Sequence, residues 1–148
     1  MEYRVVDTTE AQLEQIQAIE QQCFSCPWTM DQLRSQLPDE RHAFLAAVDE
    51  SGIVLGYVGM MVVLDEGYIS NVAVAPACRR QGVADALISA LTARAEELCL
   101  AFVTLEVRAG NEPAKALYTK HGFVPVGRRK NYYDLPKEDA ILMTRFWK

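Results

Sequence analysis

Arg79-Arg80-Gln81-Gly82-Val83-Ala84 places two cations, a glycine and a helix start next to one another. The hexapeptide follows a strand-like run, Ile69 to Ala75, that stops at Pro76. It precedes an apolar-periodic run from Val83 to about Leu98. Such a loop is suited to holding a diphosphate. The first N–H groups of a helix have no intrahelical partner, and the helix dipole places partial positive charge beside them. Gly82 removes the Cβ that would hold an anion off the backbone. Arg79 and Arg80 add charge that can screen a diphosphate. Read without its surroundings, the hexapeptide is equally an ordinary turn with two solvated arginines.

Glu106 is the next residue of interest. It stands in the run Phe102-Val103-Thr104-Leu105-Glu106-Val107, whose side chains alternate between two faces if the run is a strand. A carboxylate among apolar neighbours is unfavourable unless it is partnered or functional. A structural partner such as Arg108, or a capping group, is the plain alternative. The four cysteines are Cys23, Cys26, Cys78 and Cys99. Cys23-x-x-Cys26 has metal or redox spacing, but a structural zinc site needs a second close pair of ligands, and His42 and His121 stand alone. No metal is expected, and the four read as reduced thiols, mostly in the core. Arg128-Arg129-Lys130 beside Tyr132-Tyr133 could stack on RNA bases, but a solvated strand or loop end is the simpler reading of a charge run.

The elements that must position these residues can be read from periodicity and turn chemistry. Tyr3–Val6 reads as a strand. Thr8 or Thr9 caps a helix carrying Leu13, Ile16 and Ile19, which Pro27 ends. Thr29-Met30-Asp31-Gln32 is a capping box for a short helix through Leu37. Ala43–Val48, Ile53–Val63 and Glu66–Ala75 read as strands joined by hairpin turns, with Gly56 and Gly59 marking a close backbone approach or a bulge. A long amphipathic helix buries Val83, Leu87, Leu91 and Leu98. Phe102–Val107 is a strand, Asn111 opens a helix that Gly122 closes, and Phe123–Arg128 and Ala140–Phe146 are the last strands. The order β-α-α-β-β-β-α-β-α-β-β fits an α/β (α+β) protein with one mixed, mainly antiparallel sheet of about seven strands flanked by four helices.

Composition narrows the classes. The chain has 148 residues, half of them apolar, which suits one domain with a real core. Its net charge of −5 disfavours direct nucleic-acid binding as the main task and suits an encounter with a cationic partner. No apolar run is long enough to span a membrane, and the N-terminus lacks a basic-then-apolar leader pattern. A cytoplasmic protein is the expectation.

Two motifs, taken together, resemble the GNAT N-acetyltransferase superfamily. The pattern R-x-x-G-x-A after a strand ending in V-A-V-x-P resembles its acetyl-coenzyme A signature. Asn111-Glu112-Pro113-Ala114-Lys115-Ala116-Leu117-Tyr118 with Gly122-Phe123 resembles its second motif, N-x-x-A-x-x-L-Y-x-x-x-G-F. The resemblance implies a twisted sheet with a splay between the strands ending near Val74 and Val107. The pantetheine of acetyl-CoA would lie in that gap, bonded by backbone groups near Val72, Ala73 and Val74. Arg79, Arg80, Gln81, Gly82, Val83 and Ala84 would hold the pyrophosphate. Asn111 and Tyr118 lie seven residues apart on one face of their helix with Ala114 or Lys115, a rise of about 10 Å that can follow an extended pantetheine. Tyr118 would then lie near the sulfur and serve as general acid. An amine arrives as an ammonium and must lose a proton, so Glu106 would be the base, acting through a water.

Local text resembles the bacterial ribosomal-protein-alanine N-acetyltransferases: Leu105-Glu106-Val107-Arg108-Ala109-Gly110-Asn111, Phe24-Ser25-Cys26-Pro27-Trp28, Arg129-Lys130-Asn131-Tyr132-Tyr133 and Glu138-Asp139-Ala140-Ile141-Leu142-Met143. The resemblance implies an acceptor groove flanked by Pro27, Trp28, Tyr132 and Tyr133, and a ribosomal protein N-terminal peptide, beginning with Ala, as partner. The phosphate loop departs at Ala84, where many members have a second glycine. Another protein N-terminus, a lysine or a small amine is the alternative acceptor. A non-catalytic acetyl-CoA-binding or RNA-contacting module is the alternative class.

Overall fold

Alternating and helical periodicities resolve into one seven-stranded sheet and four helices in the computed structural model, which describes residues 2–134 and 136–148. In chain order they are β1 (Tyr3–Asp7), α1 (Leu13–Cys23), α2 (Met30–Arg34), β2 (His42–Asp49), β3 (Val54–Val63), β4 (Glu66–Val74), α3 (Val83–Glu97), β5 (Phe102–Arg108), α4 (Glu112–Lys120), β6 (Val124–Asp134) and β7 (Lys137–Phe146). The strand order is β1-β2-β3-β4-β5-β7-β6. Among the described strands only β4 and β5 run parallel, because α3 carries the chain back between them.

That parallel pair makes the site possible. It holds only three registered partners: Glu66 with Phe102, Gly67 with Val103 and Tyr68 with Thr104. Beyond Tyr68, β4 stays with β3 as far as Val74 opposite Gly56, while β5 stays with β7 as far as Arg108 opposite Ala140. The two strands splay apart as expected. The register of β3 against β4 shifts between Gly59 and Met60, and a Cβ on Gly56 would sit 2.8 Å from the Ala73 carbonyl. Gly56 therefore serves close backbone contact and Gly59 stands at the bulge.

The helices cover the two faces of the sheet. Leu13, Ile16, Ile19 and Leu33 of α1 and α2 bury against Phe44, Ala46, Val48 and Tyr57. Val83, Leu87, Ile88, Leu91 and Ala95 of α3 pack with Tyr118 of α4 against Ala43, Leu45, Leu55, Val103, Leu105 and Val107. β2 is thus buried on both faces, which explains its unbroken apolar run.

The helix starts follow their capping chemistry. Thr9 and Gln12 form a capping box around a 3-10 turn that leads into α1, and Thr29 and Gln32 form the expected box at α2. Four expectations need correction. α2 ends at Arg34 rather than Leu37. Leu98 lies beyond the last turn of α3 and is 49% exposed, so it is not part of the buried stripe. β6 runs on to Asp134, so the Arg129–Tyr133 stretch is strand, with its ladder to β7 interrupted between those two residues. The cysteines are not core: Cys26 and Cys99 are exposed, Cys23 and Cys78 half-buried, and all four are free thiols. Among the described residues, no helix is long and apolar enough to cross a membrane.

Candidate active site

The loop after β4 is built from backbone. A 3-10 turn, Pro76–Cys78, ends the strand, Arg80 takes φ +64°, and Gly82 caps α3 at φ +77°. The first intrahelical bond is Ala86 N–H to Gly82 O, which leaves the amides of Val83, Ala84 and Asp85 without helical acceptors. A Cβ on Gly82 would meet no protein atom closer than the Tyr3 hydroxyl at 3.8 Å. The glycine therefore serves the left-handed conformation and open space over those amides, not internal packing. Upstream, the Ala75 N–H donates to Leu55 O on β3. By strand alternation, Val72 and Val74 turn their backbone groups toward the gap and Ala73 turns its own toward β3.

Arg79 is not a free cation. Its Nε lies 3.4 Å from Val74 O and its Nη2 3.4 Å from Cys23 Sγ, so it ties the loop to the ends of β4 and α1. Arg80 and Gln81 are exposed. A second feature was not foreseen. Asp85, in the first turn of α3, bonds Lys120 Nζ at 2.8 Å and His121 Nε2 at 2.9 Å. The Lys120 bond, with that of His121, holds the Asp85 carboxyl below the usual carboxylate range. Two groups at the end of α4 thereby offset an acidic side chain beside an anion-suited helix start.

The splay opens into a cleft of about 680 Å³. Trp28, Asn71, Val72, Glu106, Asn111, Ala114, Tyr118, Tyr132 and Tyr133 all border it, and so does Glu20 of α1. A hollow of about 850 Å³ over β1 and the β2–β3 turn contains none of them. Glu106 faces this cleft while Leu105 and Val107 go into the core on the other face. It is exposed rather than packed among apolar side chains. Its ionic partner is Arg129, 3.5 Å away, and its carboxylate, beside Tyr132, holds that hydroxyl above the usual tyrosine range. Arg108 is not its partner. Arg108 bonds Pro136 O at 2.8 Å and Glu138 at 3.3 Å, and stacks 4.2 Å from the Tyr133 ring centroid. It docks the β6–β7 hairpin onto the end of β5.

Tyr118 is 5% exposed, packs on Phe123, and makes no hydrogen bond through its hydroxyl among the described residues. Burial, and then neighbouring Tyr133, raise its pKa above that of an ordinary tyrosine. Tyr133 is pushed up to about 12, mostly by burial and then by the charge of Glu106. Asn111 spends its Oδ1 on the Ala114 N–H as the cap of α4, which leaves its Nδ2 for a ligand. Ala114 is the cleft-facing choice over Lys115, whose Nζ goes to Ala109 O and Glu112. Pro27 is exposed and stands outside the cleft lining, whereas Trp28 is in it.

The acetyltransferase (GNAT) family profile matches residues 13–123. The chain belongs to this family. It is an N-acetyltransferase. An Escherichia coli protein named ribosomal protein bS18-alanine N-acetyltransferase is 36% identical over 127 residues, covering 84% of each chain. The crystal structure of the ribosomal-protein-S18-alanine N-acetyltransferase from Escherichia coli is similar at a TM-score of 0.89 and 32% identity, over 98% of this chain and 94% of that one. The NatC complex bound to Gag peptide and CoA contains a chain similar at a TM-score of 0.87 and 25% identity, with complete coverage of both.

For an acetyltransferase of this family the geometry has clear uses. Backbone amides face outward at the start of α3, backbone groups line the gap, and a carboxylate and a tyrosine border the same cleft. Sequence reasoning missed Glu20, although a signal was present. Leu13, Ile16 and Glu20 lie at helical spacing, so Glu20 occupies a buried position of the α1 stripe.

Proposed function

We propose that this enzyme moves an acetyl group from acetyl-CoA to the N-terminal α-amine of a ribosomal protein, beginning with Ala. Glu106 is the base, through a water, and Tyr118 the acid. The observation that carries the reading is that Glu106 and Tyr118 border one cleft whose remaining walls include Trp28, Tyr132 and Tyr133. The relatives named above, which act on the alanine of bS18, support the choice of acceptor.

Gly82 and the outward amides of Val83 and Ala84 fit a pyrophosphate, since the space a Cβ would fill is open. Arg80 and Gln81 are exposed in the same loop, and Arg79 holds the loop in shape. Val72 and the Val74 N–H face the gap for the pantetheine, the Val74 carbonyl being taken by Arg79 Nε and the Cys23 thiol, and Asn111 Nδ2 is available farther along. Bound acetyl-CoA supplies a thioester-activated acetyl group. Glu106 has Arg129 and Tyr132 as its partners, and an incoming ammonium competes with Arg129 for the carboxylate. A peptide α-amine has a pKa of roughly 7.7–8.0, so a carboxylate and one water are enough to take its proton. Tyr118 keeps its proton on Oη well above neutral pH and can give it to a departing thiolate.

The test is mass spectrometry of peptides incubated with the enzyme and acetyl-CoA. A basic ribosomal peptide beginning with Ala should gain one acetyl group at its α-amine, more slowly as salt rises, because the chain is acidic. The same peptide beginning with Trp, or with its α-amine blocked and only lysines free, should react poorly. Faster reaction of spermidine than of any Ala-starting peptide would overturn the acceptor.

A further inference from the structure

Glu20 is 1% exposed, yet it borders the acceptor side of the cleft. Taking a carboxylate out of water is strongly unfavourable unless its lone pairs are filled. Neutral donors from three elements fill them. Oε1 accepts the Trp28 N–H at 2.9 Å, from the loop between α1 and α2. Oε2 accepts Asn71 Nδ2 at 3.0 Å, from β4 where it leaves β5, and the Tyr57 hydroxyl of β3 in a short bond. The room for Asn71 comes from Gly59 opposite it: a Cβ there would lie 2.9 Å from Asn71 Oδ1.

As a way to hold a core together this is a poor choice. A buried charge is often no more stabilising than apolar residues of the same volume. What it does provide is fixed geometry, since each donor has one place to point. Two of the three donors, Trp28 and Asn71, belong to residues that border the cleft. None of the three belongs to the loop after β4 or to α3.

We propose that Glu20 is the positioning residue of the acceptor wall: it locks the Trp28 loop and the Asn71 side chain, so that acceptor binding depends on it and cofactor binding does not. This rests on the reading of the cleft as a peptide-acceptor site. Glu20→Ala leaves the Trp28 N–H, the Tyr57 hydroxyl and the Asn71 amide without their acceptor. Glu20→Gln is the conservative partner. Its oxygen can keep Trp28, and its amide can donate to the Tyr57 oxygen, but Asn71 must turn over to avoid facing a donor.

The experiment compares wild type, Glu20→Ala, Glu20→Gln and Gly59→Ala, each checked for folding by circular dichroism. Peptide KM and kcat are measured with an Ala-starting ribosomal peptide, acetyl-CoA affinity by calorimetry, and exchange of the Trp28 amide by NMR. Glu20→Ala should raise peptide KM and speed Trp28 exchange by about 10-fold each, the scale of one lost hydrogen bond to a charged group. Its acetyl-CoA affinity should stay within about 2-fold of wild type on the same scale. Glu20→Gln should recover most of the loss, and Gly59→Ala, which crowds Asn71 alone, should raise KM by less. If Glu20→Ala does not fold, the Gln and Gly59 variants carry the comparison. Unchanged KM in a folded variant, or a parallel fall in acetyl-CoA affinity, overturns the proposal. Wild-type enzyme inactive on every N-terminal peptide would instead sink the acceptor reading, and unchanged Trp28 exchange would still count against Glu20.

Discussion

The loop after β4 and the wall of the cleft proposed to take the acceptor are built by opposite means. The loop from Ala75 to Ala84 is contiguous, and its useful groups are backbone amides exposed by a helix start and a glycine at φ +77°. The cleft wall is assembled from α1, the loop after it, β4, β5 and the β6–β7 hairpin, and held by side chains such as Glu20, Arg108 and Glu138. Arg79 joins the two through Val74 and Cys23. A backbone-built site tolerates changes in side chain, which fits the alanine at position 84. A site built from side chains of distant elements depends on each partner it has.

If that contrast is right, damage to one region should leave the other's ligand affinity intact, and damage to the chemistry should leave both. Glu106→Gln should lower turnover by roughly 10²-fold or more at neutral pH, the usual range for a lost general base. Affinities for both ligands should change little. The deficit should shrink near pH 9, where an α-amine of pKa about 8 is already neutral. In wild type, the rate should climb through that range with no fall from tyrosine ionisation below about pH 10. Tyr118 is raised above the ordinary tyrosine value of about 10, so its protonated form persists as pH rises. An undiminished deficit at pH 9 would reassign Glu106 to positioning.

Gly82→Val should come next. A β-branched residue at φ +77° is strained by about 1–3 kcal/mol, and relief comes only by moving the amides of Val83 and Ala84. Acetyl-CoA affinity by calorimetry should drop at least ~10-fold, the equivalent of about 1.4 kcal/mol, with thermal melting still cooperative. An unchanged affinity would remove the anion-cradle argument. The smallest effect belongs to Arg108→Ala. It releases the hairpin from Pro136 O and Glu138 and uncovers the Tyr133 ring. The side chain is partly exposed, so a rise in peptide KM of about 5-fold is expected, near 1 kcal/mol. Acetyl-CoA affinity falling with it would show that the two regions are one mechanical unit.

The elements that could be read in advance were those whose determinants are local. The capping box at Thr29, the Asn111 cap with Pro113 behind it, and the turn at Gly82 each involve residues within one helical turn. The reading failed where a helix end, a strand face or a distant partner decided the environment. Leu98 looked buried because it continued the α3 stripe, but the helix ends before it. Glu106 looked poorly solvated because Leu105 and Val107 flank it, but they point the other way. Arg108, two residues away from Glu106 and on its face of β5, went to Glu138 instead.

Sequence by itself determined the order of elements, the start of each helix, the anion-suited turn at Gly82, and the presence of Glu106 in a strand and Tyr118 in a helix. These follow from periodicity, backbone steric limits and capping, which act over a few residues. Tertiary structure alone decided that β4 releases β5 after three pairs, that β7 lies between β5 and β6, and hence that Arg129 reaches Glu106. It also decided that Glu20 would sit under Trp28 and Asn71. Side-chain partnership depends on which strands become neighbours, and that is settled by packing the whole sheet between its two helical layers.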